Sequence, residues 1–513
     1  MVSRRDLARW ALLGVPASAI VAACASESRT APSTTTRPAT TPPPTTPPPT
    51  TVPPTTIAPT TVAPTTVPFD PARPWWLQGN FAPVGNEVDV ADLEVTGALP
   101  PSLSGQYVRN GSNPASGDSP HWFFGDGMVH GVRLSGGRAT AYANRYVNTS
   151  MYAARQGFGE GAPGGASNQS NVSCIWHAGR LLTSGEVGLP YELDPATLDT
   201  VGVFDFAGRL TSSFTAHPKL DPATGRLHSF GYGFTAPYLT YHVIEADGSL
   251  SHASVVEIPR STMMHDFAIT DRDAVFWDLP VVFDLDVAVR FIETPGDPSL
   301  FPYRWAPEAG ARIGVMPLGG GPVQWFDVDP CYVFHGVNAF REGDLVHVDV
   351  CALSSMFEDG QVLGGVASLR RWTLDTATGR TTETVLEEDQ PGDLPSRDPR
   401  LVGREYRYGY LVATRDDPHT VDLGGVIKHD FVGGSRVTWD PGPGRHGGEW
   451  LFVPDPDDTG EDAGHLLGFV NDDATDRSEL VVLDATDVAA GPVATVAMPQ
   501  RVPYGFHAAW IPE

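Results

Sequence analysis

Trp372-Thr373-Leu374-Asp375-Thr376-Ala377-Thr378-Gly379 is a strand end running into an Asp/Thr/Gly turn, and the same arrangement recurs along the chain. It returns as Tyr191-Glu192-Leu193-Asp194-Pro195-Ala196-Thr197, as Leu220-Asp221-Pro222-Ala223-Thr224-Gly225 and as Val482-Leu483-Asp484-Ala485-Thr486. Such turns join the outer strands of propeller blades, and they serve equally well as generic hairpins in any β protein. The pattern therefore points to an all-β chain and leaves the number of sheets open.

Short apolar or alternating runs between these turns support that reading: Leu181 to Thr183, Ala274 to Trp277, Leu345 to Val350, Trp450 to Val453 and Leu480 to Leu483. A further run, Ser261-Thr262-Met263-Met264-His265-Asp266-Phe267, reads as a buried strand that carries a histidine. Strand alternation would turn Asp266 away from His265. No long amphipathic helix stands out. With 513 residues, 54 glycines, 48 prolines and 41% hydrophobic residues, the chain has material for a large core and many turns. The formal charge of -27, with lysine only at Lys219 and Lys428, argues against a nucleic-acid partner, which requires clustered cations. Four cysteines, Cys24, Cys174, Cys331 and Cys351, form no metal-binding or disulfide-framework spacing. Cys331 and Cys351 could pair across adjacent strands, but buried free thiols are expected.

Three segments follow from composition. Residues 1–28 read as an export signal: Arg4-Arg5 precedes an apolar run from Trp10 to Ala23, resembling a twin-arginine signal. That run ends in Val21-Ala22-Ala23-Cys24, which resembles a bacterial lipobox with Cys24 as the lipidated residue. Residues 29–68 are almost only Thr, Pro, Ala and Val and are expected to be an extended spacer without a core. The folded body is expected over 69–513. The whole is then exported and lipid-anchored on the outer face of a bacterial cytoplasmic membrane.

Fifteen histidines guarantee that most are ordinary, yet four share small or apolar surroundings: His217, His265, His335 and His507. Their separations are long, so they meet only if four separate elements converge, as a closed ring of blades allows. Spacing alone leaves satisfied core histidines as the simpler reading.

The surrounding words resemble the carotenoid cleavage oxygenase family over nearly the whole body. They include Arg109-Asn110-Gly111-Ser112-Asn113-Pro114, His121-Trp122-Phe123-Phe124-Gly125-Asp126-Gly127-Met128-Val129-His130, Gly188-Leu189-Pro190-Tyr191-Glu192-Leu193-Asp194, Ile427-Lys428-His429-Asp430 and Gly505-Phe506-His507. The resemblance implies a seven-bladed β-propeller with a loop and helix dome over an iron-bearing face. It implies Fe(2+) held by His217, His265, His335 and His507, with Glu186, Asp393 and Glu449 orienting those ligands. Where Asp393 stands the family usually has Glu; the shorter side chain requires a closer backbone or an intervening water. Phe124 stands where the family often has Asp, a change at the turn or at the tunnel mouth. His121 and His130 read as hydrogen-bonding scaffold, with Gly125 and Gly127 permitting positive φ in a tight turn. Dome segments are expected at 148–170 and 281–310.

The implied reaction is addition of both atoms of O2 across a C=C bond of a conjugated apolar substrate, a carotenoid or apocarotenoid, giving two carbonyl products. Stilbenoid cleavage by the same chemistry is the alternative. The stilbenoid cleavers resemble one another in a Tyr and a Lys that bind the phenol, and Asn148-Thr149-Ser150-Met151-Tyr152 contains no lysine. Members that isomerise retinoid esters also exist. A surface-anchored propeller that binds without chemistry is the rival from another class.

Overall fold

The computed structural model describes residues 69–156, 168–293, 301–358, 364–390, 392–415, 417 and 420–513; the expected signal, spacer and Cys24 lie outside them. Seven antiparallel sheets follow one another along the chain and form the blades of a propeller. Blade 1 runs outward from Ala508–Pro512 through Gly105–Ser112, Gly127–Ser135 and Arg138–Tyr146 to Asp89–Ala91. Blades 2 to 6 each have four strands and begin, innermost, at Ser173–His177, Lys219–Leu220, Ala268–Ile269, Tyr332–Glu342 and Gly392–Ser396. In blade 7 the inner edge is made by Arg445–His446 and Leu451–Pro454, and the outer edge is Val95–Gly97 from near the start of the body.

Ring closure thus uses both ends of the body: Ala508–Pro512 pairs with Gly105–Arg109, and Val95–Gly97 pairs with Ala494–Val496. Innermost strands of neighbouring blades touch around the axis, as do Ala508–Pro512 with Ser173–His177 and Tyr332–Glu342 with Gly392–Ser396. Aromatic and branched side chains fill the spaces between blades; Trp277, Tyr332 and Trp372 are fully buried in the layer shared by blades 4 and 5.

The recurring turn has a clear physical basis. Asp375 Oδ1 accepts the backbone N–H groups of Ala377 and Thr378 at 2.9 and 3.0 Å, its Oδ2 accepts the Thr378 hydroxyl at 2.6 Å, and Gly379 takes φ +75°. Asp194, Asp221 and Asp484 make matching bonds. Two of the four turns, at Asp194 and Asp375, join the two outermost strands of their blade, as expected; the Asp484 turn joins the second and third strands from the outer edge of blade 7, and Leu220–Gly225 joins the two innermost strands of blade 3.

The Met263–Phe267 run is not a strand. It is an irregular buried segment entering Ala268–Ile269. Helix is confined among the described residues to Ser150–Gln156, Leu285–Glu293 and a few single 3-10 turns, and none is long and apolar enough to cross a membrane. Of segment 281–310, the described residues form the Leu285–Glu293 helix and the hairpin of Val281–Phe283 with Tyr303–Trp305, and 294–300 lie outside them. Of segment 148–170, the described residues include the Ser150–Gln156 helix, and 157–167 lie outside them. Cys174, Cys331 and Cys351 are buried free thiols.

Candidate metal centre

Each of the four histidines stands at or just before an innermost strand: His217 in blade 3, His265 in blade 4, His335 in blade 5 and His507 in blade 1. Side chains at these positions point to the axis, so residues far apart in sequence meet there. One ring nitrogen from each lies within 4.8 Å of the others. Nε2 of His217 and Nε2 of His265 are 2.9 Å apart, and those of His335 and His507 are 3.3 Å apart.

Three of the rings are held from behind by carboxylates. His265 Nδ1 bonds Glu186 Oε2 at 2.6 Å, His335 Nδ1 bonds Asp393 Oδ1 at 2.8 Å, and His507 Nδ1 bonds Glu449 Oε1 at 2.9 Å. A neutral imidazole that donates from Nδ1 carries its lone pair on Nε2. The Nε2 lone pairs of His335 and His507, aimed at one another across 3.3 Å, repel unless a proton or metal cation lies between them. The donor set therefore fits a metal, and an all-imidazole set suits Fe, Zn, Cu or Ni rather than Mg or Ca. Among the described residues no carboxylate meets the second nitrogen of His217.

Glu186, Asp393 and Glu449 belong to blades 2, 6 and 7, so every blade sends one residue to the centre. Asp393 reaches His335 directly, with no intervening water required. Pairing of its strand slips between Asp393 and Ser396, and Leu394 takes φ +51°. A bulge thus sits at the residue whose short side chain reaches His335. Its cost, an unfavourable left-handed leucine, sits beside the site.

Burial and the three neighbouring imidazoles push His217 well below the ordinary histidine range. Burial also lowers His507. Burial would lower His335 too, but the Asp393 carboxylate outweighs it and raises that ring. Asp266 faces away from the centre, as expected for the wrong reason: its carboxylate is tied to Lys219 Nζ at 2.6 Å and to the Gly336 N–H at 2.9 Å, not turned by strand alternation.

A cavity of about 820 Å³ opens on the centre, reaching His265, His335 and His507. Its walls are mostly apolar and include the aromatic side chains of Trp122, Phe123, Phe124, Phe301, Phe334 and Phe506. Phe124 thus belongs to the cavity wall. His121 and His130 are scaffold: His121 Nδ1 accepts the Phe123 N–H at 3.2 Å, and His130 Nδ1 bonds the Tyr142 hydroxyl at 2.8 Å. Burial lowers His121 to about 3. The glycines of that motif do not take positive φ; a Cβ on Gly125 would strike Ser112 Oγ and one on Gly127 the Ser170 carbonyl, so close approach is what requires them.

Sequence reasoning missed Tyr232, whose hydroxyl donates to Glu186 Oε1 at 2.9 Å, and the polar rim of the cavity at Thr414, Arg415 and Thr420. Neither carries a local signal, because each becomes relevant only through non-local packing.

The family model described as retinal pigment epithelial membrane protein matches residues 81–512. A carotenoid cleavage oxygenase of Mycobacterium tuberculosis is 38% identical over 499 residues, covering 85% of this chain and 97% of that protein. The crystal structure of Pseudomonas brassicacearum lignostilbene dioxygenase superposes with a TM-score of 0.77 at 32% identity, covering 87% of this chain and 100% of the other. A cobalt-substituted form of the Synechocystis apocarotenoid oxygenase superposes with a TM-score of 0.75 at 27% identity, covering 84% and 97%. With its propeller, its converging histidines and a match running through nearly the whole body, the chain belongs to the retinal pigment epithelial membrane protein family, which includes the carotenoid cleavage oxygenases.

Proposed function

We propose that this protein is a non-haem iron(II) dioxygenase that cleaves a C=C bond of a carotenoid or apocarotenoid. The observation that carries the reading is the four-histidine centre, braced by three carboxylates and opening on a mostly apolar cavity. Iron(II) in that all-imidazole set supplies a place for O2 beside the substrate and its activation. The chain does the rest. Trp122, Phe123, Phe334 and Phe506 offer flat apolar walls that hold a conjugated chain and decide which double bond faces the centre. Burial keeps His217 neutral, and therefore able to ligate. The balance is closed: one C=C bond and one O2 become two C=O groups, with no external reductant and no obligatory proton transfer.

The lignostilbene dioxygenase likeness keeps the stilbenoid reading in view. Against it, neither lysine lines the cavity: Lys219 pairs with Asp266, and Lys428 with Asp462 at 2.6 Å. Reaction of iron-loaded protein with an apocarotenal and with a hydroxystilbene under ¹⁸O2 tests both. One ¹⁸O in each apocarotenal-derived carbonyl product is expected; cleavage of the stilbene alone overturns the substrate assignment. Absence of iron after anaerobic reconstitution would leave a binding propeller.

The reading extends to location. Arg4-Arg5 and Cys24 support twin-arginine export followed by lipid anchoring, with 29–68 as the spacer. Replacing both arginines with lysine is expected to hold the protein in the cytoplasm.

A further inference from the structure

The three carboxylates behind the histidines are not held alike. Glu449 places its second oxygen, Oε2, on the Ala508 backbone N–H at 2.6 Å. Asp393 Oδ1 accepts the Leu394 backbone N–H at 2.8 Å, with the buried Cys351 thiol beside it. Both are thus fixed to the backbone of the ring, in or beside innermost strands. Glu186 lies instead in the loop between Arg180–Ser184 and Tyr191–Leu193, and no backbone N–H reaches its carboxylate among the described residues. Its second bond comes from a side chain, the Tyr232 hydroxyl donating to Oε1 at 2.9 Å, while Oε2 takes His265 Nδ1 at 2.6 Å.

Tyr232 ends the Leu227–Tyr232 strand of blade 3 and is buried, so its ring position is set by the propeller and not by the Glu186 loop. Burial and the Glu186 charge raise its phenol well above the ordinary range, so it stays a donor. It also lines the cavity, and the Tyr303 hydroxyl from the hairpin of Val281–Phe283 with Tyr303–Trp305 stands 3.5 Å away.

We propose that Tyr232 is a positioning residue: it fixes Glu186, and through Glu186 the orientation of His265, replacing the backbone donors that fix the other two carboxylates. This rests on the four histidines binding a metal. The chain of bonds ties the orientation of His265 to a side chain that itself lines the cavity.

The test is the first-order loss of Co(2+) from the loaded protein to excess chelator. It compares wild type, Tyr232→Phe, Glu186→Gln, the double variant and Tyr303→Phe. Tyr232→Phe keeps the ring and removes only the donor; it is expected to speed metal loss by about tenfold, with Glu186→Gln at or above that. The double variant is expected to lose metal no faster than Glu186→Gln alone, because both changes cut one pathway. Tyr303→Phe removes the phenol that donates to the Tyr232 hydroxyl at 3.5 Å but keeps the Tyr232–Glu186 bond, and is expected to speed metal loss less than Tyr232→Phe does. Wild-type metal loss in Tyr232→Phe, or additive effects in the double variant, overturns the proposal while leaving the metal site standing. A wild-type chain that takes up no Co(2+) would instead remove the metal reading itself.

Discussion

His265, His335 and His507 each give Nδ1 to a carboxylate, which leaves Nε2 free to point inward. Removing a ligand and removing its brace should therefore differ in degree. His265→Ala is expected to abolish stoichiometric iron, whereas Glu449→Ala should weaken iron about 10- to 100-fold, both read by metal analysis after dialysis against graded chelator. Asp393→Glu tests the bulge: if the backbone is set for the shorter side chain, the added methylene crowds His335 and iron retention falls rather than rises. Phe124 lies in the cavity wall. Phe124→Asp puts a carboxylate there and is expected to raise KM for an apocarotenal about tenfold while iron content stays constant. The histidines were legible because each sits in a distinctive word. Tyr232 was not, since nothing in Gly231-Tyr232-Gly233 tells that a carboxylate from another blade lies against it.

At the scale of elements, neighbouring blades are joined by polar clamps as well as by packing. His446 in blade 7 bonds Asp422 of blade 6 at 2.7 Å through Nδ1 and Asp473 at 2.9 Å through Nε2, with Arg415 and Asp440 close by. Those two carboxylates raise His446 to about 9. A histidine raised above its unfolded value stabilises the folded state fully below about pH 6.5, and that contribution is lost as pH rises through about 9. Urea unfolding at pH 6, 7.5 and 9.5 is expected to show a loss on the order of 2 kcal/mol across this window, after allowing for solvent at the ring. His446→Gln should lack most of that slope. The turns around Asp194, Asp375 and Asp484 were readable because Asx bonding is local. Met263–Phe267 misled for the opposite reason: apolar burial without ladder pairing looks like a strand, and the partner that arranges Asp266 is Lys219 from another blade.

The ring as a whole is what makes the centre, since four blades supply histidines and the other three supply carboxylates. Closure is the least legible feature, because pairing between Ala508–Pro512 and Gly105–Arg109 spans nearly the whole body and leaves no mark on either segment. It is also where fold and site depend on each other most. Ala508–Pro512 completes blade 1, carries His507 on its leading end and gives Glu449 its backbone donor. Metal that binds only the closed ring adds to its stability by mass action, so chelation of the loaded protein is expected to lower Tm by a few degrees. Deleting residues 508–513 should do far more, since it opens the ring, exposes the Gly105–Ser112 strand edge and frees both His507 and Glu449. Calorimetry with iron analysis on that variant is expected to show a broadened, early transition and no bound iron. Deleting residues 1–68, which precede the blades, should leave both measurements as in the full chain. A 508–513 deletion that melts sharply at the full-length Tm would show that the ring holds without its closing strand, and that the centre is assembled by the blades singly.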